Sequence, residues 1–222
     1  MFGYCQCSTG KEMRLYAVAD IHGRFDRMAA IKSNVEKYGP NVLIAAGDIT
    51  QYRTLPFFSQ WGELSLPVLA IRGNTDLKRI EFQFALNENI FFLNNCDITL
   101  QGIHFAGASG AIPIPFQSRI AFRETSIWKK LMPLMTSGTV LVAHPPPWGC
   151  RDRVAGKYHA GCKSLERFIR ACQPALLICG HIHEDAGMAC LGKTLIVNCA
   201  MGSFCEGAII DIQNGRITAE IL

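Results

Sequence analysis

Five short apolar segments of this 222-residue chain each run into a residue that can bind a metal ion. Aspartate, asparagine and histidine occupy these positions, and their oxygen and nitrogen atoms are ligands for divalent ions. In chain order the candidate ligands are Asp20, His22, Asp48, Asn74, His144, His181 and His183. Seven donors exceed the four of an ordinary tetrahedral zinc site. The set favours two divalent ions (Mn, Fe, Zn or Ni) that share one carboxylate and a bridging water.

The repetition of this pattern carries more weight than any one residue in it. A single Asp or His after a strand is usually a solvated polar residue or a helix cap, so each position alone is weak evidence for a metal. The chain has six histidines, and four of them follow the apolar segments. A shared chemical site explains that concentration better than coincidence does.

Parallel strands can bring these residues together. The apolar segments have the length and composition of buried strands, and helical periodicity lies between several of them. In an open α/β sheet, ligands bind outside the carboxyl ends of the strands, which is where the candidate ligands occur. The predicted strands are Leu15–Ala19, Val42–Ala46, Val68–Ile71, Thr139–Ala143 and Pro174–Cys179. The predicted helices are Arg24–Tyr38, Thr54–Leu64, Leu77–Leu86, Ala121–Leu134 and Cys162–Cys172.

The last quarter of the chain predicts four further strands joined by hairpin turns. Asn214-Gly215 is a strong type I′ turn signal, and Gly192-Lys193 marks another turn. We expect these strands to form a second, antiparallel sheet packed on the first. They are Met188–Leu191, Thr194–Asn198, Gly207–Ile212 and Arg216–Ile221.

The motifs resemble those of the calcineurin-like metallophosphoesterases. The similarity runs from about Met13 to Leu222, and it implies a four-layer α/β/β/α sandwich that hydrolyses a phosphate ester with a metal-bridging hydroxide. The motifs are Asp20-x-His22, Gly47-Asp48, Gly73-Asn74, His144 after a strand, and Gly180-His181-x-His183. The resemblance implies one ion bound by Asp20, His22 and His183, a second bound by Asn74, His144 and His181, and Asp48 as the bridge.

One position departs from the family pattern. The family usually has a histidine after Gly-Asn, whereas this chain has Thr75 followed by Asp76. A hydroxyl is too weak an acid to protonate a leaving group near neutral pH. Three explanations stay open: the metals act without a proton donor, His159 supplies the proton, or the enzyme is slow. We therefore expect phosphodiesters to be favoured as substrates. Asp76 is expected to orient a neighbouring loop or histidine.

Two loops are candidates for contact with substrate. The polar stretch Trp148–Ala160 contains Arg153 and His159, which are candidate phosphate ligands, although a solvated charged loop is the alternative. The Gly- and Pro-rich segment Gly107–Phe116 is either a lid over the site or a packed surface loop. Asp48, Asn74 and His159 are the catalytic candidates, and Asn74, Arg153 and His159 the substrate-binding candidates. His104, on a predicted strand, is expected to be structural.

Length and composition limit the number of domains and the classes of protein to which the chain can belong. We expect one domain over residues 13–222, preceded by a loose leader over residues 1–12 without the features of a secretory signal. The net charge of +4 without a Lys/Arg run allows an anionic substrate but does not indicate nucleic-acid binding. No apolar run reaches the length of a membrane span. Ten cysteines, several in apolar segments, are expected to be buried free thiols of a cytoplasmic protein.

Several functions remain compatible with the sequence. A phosphorylated small molecule or a nucleotide is the expected substrate, and a phosphomonoesterase of the same fold is the alternative to a phosphodiesterase. A metal-binding interaction scaffold with little activity is a third possibility, which the complete set of ligand types disfavours. The sequence leaves open the oligomeric state, the metal identity and the role of Cys5 and Cys7.

Overall fold

The computed structural model describes residues 12–51, 59–109 and 127–222, together with the backbone of residues 5–6. Within these ranges, strands form two large sheets and one small hairpin. The two large sheets pack face to face, and helices cover their outer faces. The architecture is the expected four-layer α/β/β/α sandwich.

The first sheet has seven strands, and its centre is parallel. Four consecutive parallel strands, β2 to β5, are extended on one side by antiparallel strands from the end of the chain. In spatial order the strands are β1 (Cys5–Gln6), β15 (Arg216–Ile221), β14 (Ala208–Gln213), β2 (Met13–Val18), β3 (Val42–Ala46), β4 (Val68–Ile71) and β5 (Ile90–Phe92).

The second sheet has six strands, and four neighbouring ones are parallel. An antiparallel strand lies at each edge. In spatial order the strands are β12 (Gly187–Leu191), β13 (Thr194–Asn198), β11 (Leu176–Cys179), β8 (Val140–Ala143), β7 (Ile103–Ala108) and β6 (Asp97–Leu100).

The expectation that the last four strands make a sheet of their own is wrong. β12 and β13 join the second sheet, whereas β14 and β15 join the first. Every residue of β13 is buried, so this strand needs a central place, and it pairs in parallel with β11. The hairpin turns fixed which strands are neighbours, but they carried no information about the sheet that each hairpin would enter.

The helices agree with the predictions where the structure describes them. Phe25–Tyr38, Ser59–Gly62 and Ile80–Phe84 cover the first sheet, and Lys163–Cys172 covers the second together with helical residues 127–131. Gly39 ends the first helix in a left-handed conformation, and its N–H bonds to the carbonyl oxygen of Val35. Residues 52–58, 110–116 and 121–126, which include parts of two predicted helices and most of the proposed lid, lie outside the described residues.

Three apolar cores hold the four layers together. The central core lies between the sheets and takes side chains such as Leu15, Ile44, Phe105, Val142 and Ile178. The two outer cores lie between each sheet and its helices. Alternate residues of one strand serve different cores: Leu15 and Ala17 face the central core, whereas Tyr16 and Val18 face the helices. The central parallel strands β3, β4, β8 and β11 are buried along their whole length, so packing on both faces fixes the positions of their ends.

Several smaller expectations can also be checked. His104 is structural, because its ring nitrogens lie 2.9 Å from Thr139 Oγ1 and 2.9 Å from Asp97 Oδ2. The cysteines of the described ranges are free thiols, but the expectation that they are buried is wrong for Cys96 and Cys190, which are exposed, and Cys172 is only half-buried. In the predicted leader, β1 pairs with β15, and the description of residues 1–12 as a loose leader stays a prediction.

No helix of the described ranges is long and apolar enough to cross a membrane.

Candidate metal centre

Six of the predicted ligands form two neighbouring groups at the carboxyl ends of the strands. Within each group the candidate ligand atoms all lie within 4.8 Å of one another, a separation that one ion can span. The first group is Asp20, His22 and His183, and the second is Asp48, His144 and His181. The first group is the one that the resemblance implied, and His144 and His181 share the second group as expected. Asp48 lies in that second group, while its role as the bridge and the role of Asn74 as a ligand stay predictions.

Asp20 lies between the two groups. Its Oδ1 atom is 3.2 Å from Nε2 of His183 in its own group and 3.9 Å from Nε2 of His144 in the other. Within the second group, His144 Nε2 lies 3.4 Å from Asp48 Oδ2. The two groups therefore form one continuous site.

Four of the six side chains are carried by backbone in the left-handed region. The φ angles are +59° at Asp20, +52° at His22, +51° at Asp48 and +71° at His181. Non-glycine residues adopt this conformation at a cost of about 1–3 kcal/mol, and such residues cluster at functional sites. Backbone hydrogen bonds hold them: the N–H of Asp20 donates to Gly47 O at 3.0 Å, and that of His22 to Asp48 O at 2.8 Å.

Two motif glycines allow the strand ends to approach each other. A Cβ atom on Gly180 would lie 2.3 Å from the Cβ of Ala19 and 2.5 Å from Asp20 Oδ2. A Cβ atom on Gly73 would lie 2.2 Å from Asp48 Oδ1. The glycines thus leave room for the carboxylates of Asp20 and Asp48.

The carboxylates and imidazoles strongly influence one another's ionisation. Burial opposes ionisation of Asp48, but His144 and the N–H of Thr75 lower the pKa of Asp48 to about 2. Burial also opposes charge on His144, yet the neighbouring carboxylates raise its pKa to about 9. Burial and the nearby His144 lower the pKa of His181 to about 4. The metal-free site therefore holds ionised carboxylates beside the charged imidazole of His144 at neutral pH.

The residues fit a metal site because several buried ligand atoms have no other partner. Within the described residues, Asp20 Oδ1, His22 Nδ1 and His144 Nε2 are buried and make no hydrogen bond. Nδ1 of His144 lies 2.9 Å from the carbonyl oxygen of Ala46, which can only accept, so Nδ1 carries a proton and Nε2 faces the site. Buried polar atoms without partners are costly, and divalent ions would satisfy them.

The loop that carries Asn74 is fixed by two carboxylates. On one side of Asn74, the N–H of Gly73 donates to Asp76 Oδ2 at 3.0 Å, and on the other the N–H of Thr75 donates to Asp48 Oδ1 at 2.8 Å. Asp76 is buried and also accepts hydrogen bonds from the N–H groups of residues 49 and 50. It therefore ties the Asp48 loop to the Asn74 loop, which is the orienting role expected of it.

The model of the calcineurin-like phosphoesterase family matches residues 13–185 of this chain. The chain belongs to the calcineurin-like phosphoesterase family. Members of this family typically bind two divalent metals and hydrolyse phosphoesters, and the two ligand groups described above are candidate metal sites in this chain.

The chain also resembles individual proteins over most of its length. It is 28% identical over 201 residues to the uncharacterized protein MJ1162 of Methanocaldococcus jannaschii, covering 85% of this chain and 88% of that protein. Human metallophosphoesterase domain-containing protein 1 is 27% identical over 224 residues, covering 85% of this chain and 66% of the human protein.

Solved structures of low sequence identity share the fold. The protein TT1561 of Thermus thermophilus has a TM-score of 0.70 at 14% identity, covering 95% of this chain and 99% of that one. A protein described as a novel archaeal phosphodiesterase has a TM-score of 0.57 at 14% identity, covering 95% of this chain and 100% of that one. At such identities the similarity is evidence for the fold alone.

A small hairpin adds a His–Asp pair to this phosphoesterase fold. Strands β9 (Arg153–Val154) and β10 (Tyr158–His159) form the hairpin within the predicted polar loop. His159 Nδ1 lies 2.6 Å from Asp152 Oδ1, while Asp152 Oδ2 accepts the N–H groups of Gly149 and Gly161 at 3.0 and 2.9 Å. Asp152 is fully buried, whereas the His159 side chain is 35% exposed. The pair fixes the imidazole with Nε2 free to face solvent or substrate.

The hairpin is attached to the turn that carries a metal ligand. The N–H of Arg153 donates to Asp185 Oδ2 at 2.9 Å, and that of Ala155 donates to Glu184 Oε2 at 3.0 Å. Both acceptors belong to the 3-10 turn His183–Asp185. Arg153 itself is exposed, and its role in substrate binding stays a prediction.

Sequence reasoning missed two residues close to these candidates. Asp152 was not recognised because its role depends on contacts with His159 and with two loop amides, although its place seven residues before a histidine in a polar loop was a signal. Arg27 lies in the first turn of the helix after Asp20-x-His22, and its guanidinium donates to the carbonyl oxygen of Asp20. Its position directly after the first metal motif was the signal for it.

Proposed function

We propose that the chain is a metal-dependent phosphodiesterase. The observation that carries the proposal is the pair of adjacent three-residue groups with buried ligand atoms that lack partners. Asp20, His22 and His183 would hold one divalent ion, Asn74, His144 and His181 the other, and Asp48 would contact both. When bound, the ions supply positive charge that acidifies a water molecule and neutralises phosphoryl oxygens.

The protein's own groups have separate tasks in this proposal. The carboxylates and imidazoles would fix the positions of the ions. The hydrogen bonds of Gly73 and Thr75 hold the loop that carries Asn74, whose amide would bind metal and donate to a phosphoryl oxygen. Arg153 would neutralise a non-reacting oxygen of the substrate. These assignments use the residues that the sequence motifs selected.

Thr75 does not supply the proton that a leaving group needs. Its hydroxyl donates to the carbonyl oxygen of Thr50 at 2.7 Å, so it is already engaged. We assign the proton donor to His159, which Asp152 orients through Nδ1. The attachment of this hairpin to the His183–Asp185 turn supports the assignment, because it links the hairpin that carries His159 to the turn that carries the candidate ligand His183.

A phosphomonoesterase is the second candidate function. The observation that favours it is the Asp152–His159 pair, which offers a proton donor in place of the usual histidine at position 75. A phosphodiester still fits better, because it carries one negative charge fewer and Thr75 adds no cation to the site. The solved archaeal phosphodiesterase shows that this fold is compatible with diester hydrolysis in that protein.

Hydrolysis of two nitrophenyl esters tests the proposal. The purified chain, stripped of metal and reloaded with Mn, Fe, Zn, Ni or Mg, is expected to cleave bis-p-nitrophenyl phosphate with a higher kcat/KM than p-nitrophenyl phosphate. Transition ions are expected to restore more activity than Mg, because imidazole ligands prefer them. A preference for the monoester would favour the second candidate, and activity that persists after verified metal loss would contradict both.

Asp48→Asn is the sharpest variant for the metal assignment. Asp48 would contact both ions, so we expect a loss of at least about 100-fold in kcat/KM, more than outer partners of metal ligands typically cost. Metal analysis should show weaker binding at both positions. His104→Ala, which removes a histidine outside the site, serves as the control and is expected to keep metal and activity.

A further inference from the structure

A surface cavity of about 520 Å³ opens beside the first metal-binding group. His183 lines it, so the cavity is continuous with the candidate metal centre. Polar and apolar side chains share its wall. They include Arg27, His183, Glu184, Ser203, Phe204 and Ile221. A molecule held at the metals can therefore extend into this space.

The most prominent group at the cavity is the ring of Phe204. This side chain is 99% exposed, and among the large apolar side chains of the described ranges it is the most exposed. Single exposed apolar residues are common on protein surfaces and need no explanation by themselves. Phe204 differs from such residues because it lines a cavity that a metal ligand also lines.

The backbone holds Phe204 in place. The N–H of Gly202 donates to Cys205 O at 2.9 Å, which closes a turn with Phe204 at its tip. On one side of the turn, the N–H of Met201 donates to Ala19 O at 3.0 Å, and Ala19 directly precedes the ligand Asp20. On the other side, the N–H of Glu206 donates to the carbonyl oxygen of residue 222 at 2.9 Å. The backbone that carries the ring is thus held at a fixed place relative to the candidate metal centre.

The polar groups of the cavity complement a phosphorylated sugar. A guanidinium has five N–H donors, so the bond from Arg27 to Asp20 leaves further donors for a phosphate oxygen. Glu184 offers a carboxylate and Ser203 a hydroxyl, both of which can bond to sugar hydroxyl groups. A flat aromatic ring stacks on a phenylalanine side chain, whereas a short alkyl group cannot do so.

We propose that this cavity binds the nucleoside part of the substrate, with the base stacked on Phe204 and the sugar between Glu184 and Ser203. The inference rests on the proposed function, because it requires the phosphate to bind at the two metal groups. It names the substrate class: a phosphate ester that carries a nucleoside.

Binding of three related ligands tests this inference. Adenosine 5′-monophosphate, ribose 5-phosphate and inorganic phosphate are titrated calorimetrically into the metal-loaded protein. The first two differ only in the base, so we expect the nucleotide to bind about tenfold more tightly than ribose 5-phosphate. Phe204→Ala should abolish that difference, Phe204→Trp should keep it, and neither should change the affinity for inorganic phosphate.

A matched control separates stacking from general loss of a surface ring. Phe82, on the helix Ile80–Phe84, is 73% exposed and does not line this cavity, so Phe82→Ala should leave all three affinities unchanged. If phosphate binds but the nucleotide and ribose 5-phosphate bind equally, or Phe204→Ala has no effect, the inference is wrong while the proposed function stands. If the metal-loaded protein fails to bind inorganic phosphate, the proposed function fails as well.

Discussion

His144 is the residue at which metal binding and proton binding compete. Its Nδ1 is committed to the carbonyl oxygen of Ala46, and its Nε2 lies among carboxylates that favour the protonated ring. A metal ion binds only the neutral imidazole. The same carboxylates that attract an ion therefore also retain a proton in the metal-free site.

We predict that metal uptake at pH 7 releases a proton from His144. The pKa of this residue in the metal-free protein is raised to about 9, so the ring is charged at pH 7 and must deprotonate before it binds an ion. Apparent metal affinity should rise as pH increases towards 9 and then level off. Calorimetric titration in two buffers of different ionisation enthalpy measures the release, and identical heats in both buffers would contradict the prediction.

The Asp152–His159 pair can be tested by comparing leaving groups that differ in their need for a proton. If His159 protonates the leaving group, His159→Ala should reduce kcat/KM about 100-fold for methyl phenyl phosphate but much less for methyl p-nitrophenyl phosphate, whose leaving group needs no proton. Asp152→Asn should also reduce kcat/KM more for methyl phenyl phosphate than for methyl p-nitrophenyl phosphate, but by a smaller factor. Equal losses with both esters would show that the pair is only structural.

At the scale of elements, the parallel strands explain why most of the ligands could be predicted. Parallel strands place their carboxyl ends at one edge of a sheet, so the polar residues after β2 and β3 had to meet in the first sheet and those after β8 and β11 in the second. The face-to-face packing of the two sheets brings the two pairs together. The hairpin that carries His159 could not be predicted in the same way. It is fixed by bonds from Arg153 and Ala155 to acidic residues about thirty positions later, and no local pattern records such contacts.

Gly180→Ala tests how closely two strand ends must approach. The added Cβ would meet Ala19 and Asp20, which the surrounding sheets hold in place, so we expect metal affinity to fall by at least about tenfold. Gly149→Ala is a useful comparison. Its Cβ would meet no atom within 4 Å, but its φ of +78° makes alanine unfavourable, so it should lower stability while metal content is kept. Unchanged metal affinity in Gly180→Ala would show that the close approach is dispensable.

At the scale of the whole molecule, the metal centre joins the two sheets. Asp20 and Asp48 follow strands of the first sheet, whereas His144 and His181 follow strands of the second. Ions bound between them would therefore link the two halves of the central core. The sequence could predict this convergence, but it could not assign the four C-terminal strands to their sheets, because burial of β13 decides that placement.

Removal of metal should accordingly destabilise the entire fold. A ligand that binds only the native state adds about 2.7 kcal/mol at a concentration 100 times its Kd, which corresponds to about 5–10 °C in Tm for a chain of this size. We expect a fall of that order when the protein is treated with a chelator, measured by calorimetry or circular dichroism. Asp48→Asn should show a much smaller chelator effect, and an identical fall in that variant would contradict the role of the site.

The hydrogen bond from the N–H of His181 to Asp20 Oδ2 spans 161 residues of chain at a length of 2.7 Å. A ribosome must therefore synthesise and release the chain beyond His183 before either three-residue group exists in full. The complete metal site cannot guide the folding of the earlier strands, which must find their partners through apolar contacts and backbone hydrogen bonds. Loading of the ions is consequently a late step in the protein's biogenesis, and during translation the cell's metal supply has no native site to fill.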